Sequence, residues 1–235
     1  MSDFLENSTV QGLARIIEEK GINIHVEKPT PMSREGVIPL SGTQENLWYL
    51  YKLNPHSAAY NCPEAFRLSG KICLSSLEKA LNDIFKRHES LRTTFYELDG
   101  IPYQKIVPIS EFKLDVWYFN HISEQQFSEE SKKIVEKESA RSFNLEKDYL
   151  FRVLFISNHD EHVIFWNFHH IIADGTSSAN IFTNELNQLY TYTRHLSSCL
   201  FVGCTHSPRS HSYLCSRGFA PLPPRCILKS IGYII

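Results

Sequence analysis

Residues 163–178 read Val163-Ile164-Phe165-Trp166-Asn167-Phe168-His169-His170-Ile171-Ile172-Ala173-Asp174-Gly175-Thr176-Ser177-Ser178. The run from Val163 to Phe168 is apolar and aromatic apart from Asn167, and reads as a buried strand. Thr176, Ser177 and Ser178 can cap a following helix. That helix is expected over 177–193, with Ile181, Leu186, Leu189 and Tyr190 as its apolar set. A buried strand handing over to a helix through a short polar loop is α/β grammar, and such loops often display reactive groups. Here the loop holds two histidines, an aspartate and a glycine. A histidine at a strand end can accept a proton near neutral pH. Asp174 can orient the site or pair with an arginine, and Gly175 allows a tight turn.

The rest of the chain repeats this mixture. His162 to Phe168 pairs with Leu150 to Ser157 as a hairpin around Asn158-His159-Asp160. A second hairpin, Thr93 to Leu98 with Tyr103 to Val107, turns at Asp99-Gly100. Cys62 to Leu68 and Leu114 to Phe119 read as further strands. Helices are expected at 43–53, at 75–88 and, with a charged surface, at 124–142. The second of these has Leu77, Leu81, Ile84 and Phe85 on one stripe, with Ser75 or Ser76 as cap and Glu78 in support. Helices alternating with hairpins imply an α/β sandwich with a largely mixed sheet.

Both ends depart from this pattern. Residues 1–36 offer an amphipathic helix at 8–20, with Val10, Leu13, Ile16 and Ile17 on one face and Gly21 as C-cap. A short strand, Ile22 to Val26, and a linker from Lys28 to Gly36 that holds Pro29, Pro31, Ser33 and Gly36 follow. At the other end, no Asp or Glu follows Glu185, where average usage would place about six. The region 194–235 is expected to lie outside the fold. Its Cys199, Cys204, His206, His211 and Cys215 lack the paired spacing of structural zinc sites, so no metal is expected.

Composition narrows the class. With 235 residues, 42% of them hydrophobic and 21% charged, the chain can bury a substantial core. A net charge of −2 makes no electrostatic case for nucleic acid or an anionic membrane. No apolar run reaches the length of a membrane span. Met1 to Asn7 contains Asp3 and Glu6 and is not a secretory signal, so a cytoplasmic protein with reduced cysteines is expected.

The histidine pair by itself leaves two readings open, packed imidazoles or an acyl-transfer loop. Two other stretches bear on the choice. Leu40-Ser41-Gly42-Thr43-Gln44-Glu45-Asn46-Leu47-Trp48-Tyr49-Leu50 opens a helix with an embedded tryptophan. Arg87-His88-Glu89-Ser90-Leu91-Arg92-Thr93-Thr94-Phe95 gathers charge at a helix-to-strand junction. There Arg87 and His88 suit a helix C-terminus, and Glu89 can pair with an arginine.

Taken in order, these stretches resemble the condensation domain of non-ribosomal peptide synthetases. The first family motif, Ser-x-Ala-Gln-x-Arg-Leu-Trp-x-Leu, is met by Ser41, Gln44, Leu47, Trp48 and Leu50, with Thr43 and Asn46 as departures. The second, Arg-His-Glu-x-Leu-Arg-Thr-x-Phe, is met at every specified position from Arg87 to Phe95. The third, His-His-x-x-x-Asp-Gly, is met by His169, His170, Asp174 and Gly175. Ser142-Phe143-Asn144-Leu145 with Leu150 and Arg152 resembles a further stretch, with Asn144 and Tyr149 as departures. The similarity spans residues 37–193.

The resemblance implies a two-layer lobe similar to chloramphenicol acetyltransferase, the first of two that enclose a tunnel. Carrier proteins and adjacent synthetase modules would be the partners. No cofactor would be bound by the chain itself, since substrates arrive as thioesters on 4'-phosphopantetheine arms. His170 would act as base or place the amine, and His169 would be structural. Asp174 would hold the loop through a buried salt bridge, for which Arg92 is one candidate. Gly175 would leave room for the pantetheine arm and offer an N–H near the oxyanion. Gln44, Trp48, Arg87, His88 and Glu89 would serve the framework. The second-lobe motifs are not found after about Arg194, so weak or no activity is expected of this chain. Residues 13–27 also resemble part of a docking segment. Competing readings are a non-catalytic carrier-docking module, an epimerisation domain, or another transferase with the same histidine loop. A heterocyclisation domain is disfavoured, because it would carry aspartate in place of the histidines.

Overall fold

The structure, a computed structural model, describes residues 9–20, 30, 36–108, 110–120 and 122–200. The strand expected at 22–26, most of the linker and the region beyond Leu200, with Cys204, His206, His211 and Cys215, lie outside these, whereas the last helix runs through the boundary expected at 194 and includes Cys199. The chain divides into two units, Met1–Gly36 and Val37–Ile235.

In the first unit, α1 (Val10–Glu19) is capped by Thr9, whose hydroxyl accepts the Gly12 N–H at 3.1 Å. Its last turn closes on Lys20, whose N–H reaches the Ile16 carbonyl at 2.9 Å. None of its residues is buried.

The second unit begins with β1 (Ile38–Pro39), α2 (Gly42–Leu53), β2 (Asn61–Ser69) and α3 (Leu74–Arg87). A 3-10 turn (Glu89–Arg92) leads into β3 (Thr93–Leu98), β4 (Ile101–Ile106) and β5 (Asp115–Tyr118). Then come α4 (Glu124–Ser139), β6 (Phe151–Asn158), β7 (Glu161–His169), a π-turn (Ser177–Phe182) and α5 (Thr183–Leu200). The strands form two sheets. The larger has the order β2-β7-β6-β5 and is mixed, since β5 runs parallel to β6 while the other pairs are antiparallel. The smaller is antiparallel, in the order β1-β4-β3.

Both hairpins turn in two residues. Asp99 and Gly100 adopt φ of 52° and 80°, which match the strand twist in a tight turn. Strand β4 therefore begins at Ile101, opposite Leu98, two residues before the pattern suggested. His159, at φ 56°, opens the turn between β6 and β7.

Strand β7 is buried from His162 to His169 because helices cover both faces of its sheet. On one face Ile164, Trp166 and Phe168 pack with Leu81, Ile84 and Phe85 of α3 and Leu186 of α5. On the other, Val163 and Phe165 pack with Phe127 and Val135 of α4.

Helix α3 begins at Leu74, after Cys73, so neither Ser75 nor Ser76 caps it. Its first turn is instead held by tertiary contacts. The Tyr190 hydroxyl of α5 accepts the Cys73 N–H at 3.0 Å, and the Glu78 carboxylate accepts the Leu114 N–H at 2.9 Å. Helix α4 is closed at its start by a reciprocal Ser123–Gln126 box, and ends at Ser139, before the expected 142. The carbonyls of Arg141 and Ser142 accept from the Arg152 guanidinium at 2.8 and 2.6 Å, which draws that segment out of the helix.

A third apolar cluster joins the two sheets. Trp48, Phe95, Phe143, Leu145, Leu150 and Ile171 pack together, and Trp48 is 0% exposed. These six residues come from α2, β3, the segment before β6 and the histidine loop. Trp48→Ala should therefore lower stability by roughly 3–5 kcal/mol. Urea unfolding should show this as a lower midpoint at unchanged slope; a loss below about 1 kcal/mol would contradict the role given to this cluster.

Candidate active site

His169 is the last residue of β7. Its N–H donates to the Leu150 carbonyl at 3.0 Å, and its Nδ1 accepts the Ile171 N–H at 3.2 Å. The ring stands edge-on to Phe143, with centroids 6.1 Å apart, and is 5% exposed. Burial, helped by the neighbouring His170 charge, pushes its pKa down to about 4. It is thus a neutral imidazole at pH 7 that accepts a backbone N–H.

His170 is the first residue past the strand and is exposed. Its N–H is fixed by the Tyr60 carbonyl at 2.8 Å, while its ring makes no hydrogen bond among the described residues. The two histidines differ because strand alternation ends between them. One side chain stays within the layered core and the next emerges from it.

Asp174 does not form a buried salt bridge with Arg92. Its carboxylate is exposed, and one oxygen accepts both the N–H and the hydroxyl of Ser177, at 2.7 and 2.6 Å. These bonds hold its carboxyl below the ordinary carboxylate range. The first turn of a helix carries unpaired N–H groups, and Asp174 satisfies one of them. Arg92 is occupied elsewhere, donating to the Val107 carbonyl at 2.9 Å and lying 3.6 Å from Glu89. Gly175 does not make a tight turn either, since its φ is not positive and it sits in the first helical turn. A Cβ at this position would meet nothing within 4 Å. Neither backbone conformation nor packing in this chain requires glycine there.

The other motif residues lie in a network of contacts that joins elements of the lobe. Arg87 and His88 both reach Glu185 of α5, at 3.2 and 2.8 Å, and clamp the end of α3 to it. Glu89 pairs with Arg92. Gln44 is the third residue of a capping box with Ser41, and its Nε2 also donates to the Ile171 carbonyl at 3.2 Å. The first motif therefore touches the histidine loop directly. This link, like the part played by Glu185, spans distances in sequence that no local pattern encodes.

A cavity of about 110 Å³ adjoins the loop, lined by apolar residues that include Leu91, Phe168, Ile172 and Phe182 and by the polar His88, Ser90 and Ser177. Among the described residues no group of three or more His, Cys, Asp or Glu side chains could hold a metal ion. No helix among them is long and apolar enough to cross a membrane.

The low pKa of His169 gives a signed expectation. Unfolded, the ring protonates near 6.5; folded, near 4. The unfolded state therefore binds the extra proton first, and stability falls as pH drops from about 6.5 towards 4, by on the order of 3 kcal/mol in total. Chemical denaturation from pH 4 to 7 should show this slope in the native chain and a flatter one in His169→Gln. Parallel slopes would mean that His169 is not the titrating group.

A family model for the condensation domain matches residues 34–199. A linear gramicidin synthase of Brevibacillus parabrevis is 36% identical over 196 residues, covering 81% of this chain and 4% of that protein. Surfactin synthase subunit 1 of Bacillus subtilis is 33% identical over 193 residues, covering 81% of the chain and 5% of that protein. The chain thus spans about a twentieth of these relatives. Among solved structures, a starter condensation domain of rhizomide synthetase superposes with a TM-score of 0.61 at 21% identity, over 74% of this chain and 40% of that one. The X-domain seen in complex with OxyB, from teicoplanin biosynthesis, matches with a TM-score of 0.62 at 25% identity, over 72% and 36%. The architecture is that of a chloramphenicol-acetyltransferase-like lobe.

Proposed function

The chain belongs to the condensation-domain family of non-ribosomal peptide synthetases, and from that premise we propose that it carries the histidine loop of a peptide-bond-forming acyl transfer with His170 as its base. The carrying observation is the contrast within the pair. His169 is buried and committed to the loop backbone, whereas His170 presents an exposed ring on a backbone fixed by Tyr60. In the reaction the acceptor amine attacks the donor thioester carbonyl. The C–N bond forms, the C–S bond breaks, and the amine proton passes through His170 to the departing thiolate. A positioned base contributes about 10²–10⁴-fold.

Both substrates would be held on 4'-phosphopantetheine arms of carrier proteins from adjacent synthetase modules, in the cytoplasm. The open space beside Gly175 suits the approach of such an arm, and an N–H in this first helical turn suits a developing oxyanion. Because His170 is exposed to water, these residues alone pre-organise the reaction poorly, and weak turnover is the expectation. A second reading, a module that docks carrier proteins without catalysis, is supported by the X-domain neighbour, which was solved in complex with another protein.

The test mixes the purified chain with donor-loaded and acceptor-loaded carrier proteins and follows the dipeptidyl thioester by mass spectrometry. A small yield is expected, lost in His170→Ala, with carrier binding unchanged. Product that survives His170→Ala would remove the base from His170. Carrier binding with no product under any condition would favour the docking module.

A further inference from the structure

We propose that Glu64, in the middle of β2, is a positioning residue for the histidine loop and acts through Ser178. The inference rests on His170 being the reacting side chain. Strand β2 and the residue just before it grip the loop at two points. At one end the Tyr60 carbonyl accepts the His170 N–H at 2.8 Å. At the other, Glu64 Oε1 accepts the Ser178 hydroxyl proton at 2.6 Å. Ile171 is held further by His169 and Gln44, whereas the stretch that carries Asp174 and Gly175 leads from there to the Ser178 anchor.

The second anchor is built, not incidental. Ser178 is 2% exposed, so loss of its acceptor would leave a buried hydroxyl unpaired. A bond of this length to a carboxylate is among the stronger kinds. The Ser178 N–H also donates to the Asp174 carbonyl at 3.0 Å, and its own carbonyl accepts from the Thr183 hydroxyl at 3.2 Å. One residue thereby ties Asp174, β2 and the start of α5 together.

The helix at this point is a π-turn over Ser177–Phe182. Such turns hold one residue more than regular helix, are rare, and cluster at functional sites. Two contacts from outside the helix hold it. Ser178 bonds Glu64, and Phe182 enters the aromatic core at 5.0 Å from Trp166 and 5.3 Å from Phe168.

Glu64 itself conflicts with its surroundings. It lies between Cys62 and Phe66, which pack against the first apolar cluster, and opposite Trp166 across the ladder. A half-buried carboxylate at such a position costs free energy unless it is bonded, and packing would be served better by an apolar residue. A polar residue that breaks the local pattern marks a constraint other than folding. Here the constraint is the place of the loop.

The test uses the full 235-residue chain with Glu64→Ala, Glu64→Gln, Ser178→Ala and the Glu64→Ala/Ser178→Ala double variant. Hydrogen exchange by mass spectrometry is read at residues 171–182 and, as a control for the fold, at residues 162–168 of β7. The His170 ring cross-peak is followed by NMR. Glu64→Ala should speed loop exchange by roughly tenfold or more and broaden the His170 signal while β7 stays protected. Ser178→Ala should do the same, and the double variant should be no worse than either single. Glu64→Gln, which keeps an acceptor oxygen, should return both readouts towards the native chain. The proposal is overturned if Glu64→Ala leaves the loop and the His170 signal unchanged. It is equally overturned if β7 loosens in step with the loop, if the two single effects add, or if Glu64→Gln behaves as Glu64→Ala. None of these readouts requires turnover, so product formation in His170→Ala bears separately on the base.

Discussion

The packing of Trp48 against Phe95, Leu145, Leu150 and Ile171 is the contact on which the rest of the unit depends. The partners arrive from three stretches of sequence, and each stretch carries one of the motifs. The cluster closes the junction where the smaller sheet, α2 and the end of β7 meet. Polar contacts then line up over it. Phe95 N–H reaches the Leu145 carbonyl at 2.9 Å, His169 N–H the Leu150 carbonyl at 3.0 Å, and Gln44 the Ile171 carbonyl at 3.2 Å. Apolar burial supplies the energy here, and these directional bonds supply the register.

From this junction the division of labour in the histidine pair follows. His169 ends a strand with both faces covered, so its ring lies in a low-dielectric site beside Phe143 and Tyr60. Neutrality is the state that such a site favours. A neutral ring with Nδ1 free of hydrogen can accept the Ile171 N–H, and that bond bends the chain out of the strand at the residue where His170 emerges. The exposed histidine owes its position to the buried one.

Much of this was legible in order along the chain. The aromatic run 163–168, the Asp99-Gly100 turn and the stripe Leu77, Leu81, Ile84 and Phe85 encode their elements locally, because side-chain alternation and turn conformation involve residues a few positions apart. The motifs at Gln44, Trp48, Arg87 to Phe95 and His169 to Gly175 were legible as a set for the same reason. What misled was inference across space. Asp174 and Arg92 are complementary charges, yet a helix N-terminus one turn away takes the carboxylate and a carbonyl takes the guanidinium. Ser75 and Ser76 are good capping residues, yet the packing of α3 on α5 starts the helix earlier, at Leu74.

The sequence by itself determined the elements, the family and the identity of the loop, since each rests on residue types at short, fixed spacings. Tertiary structure alone decided which histidine is buried, and that Glu185 and Glu64 meet the motifs at all. Glu64 and Ser178 are separated by 114 positions. Their bond exists only because β2 pairs with β7 in one register, and no local pattern carries that register.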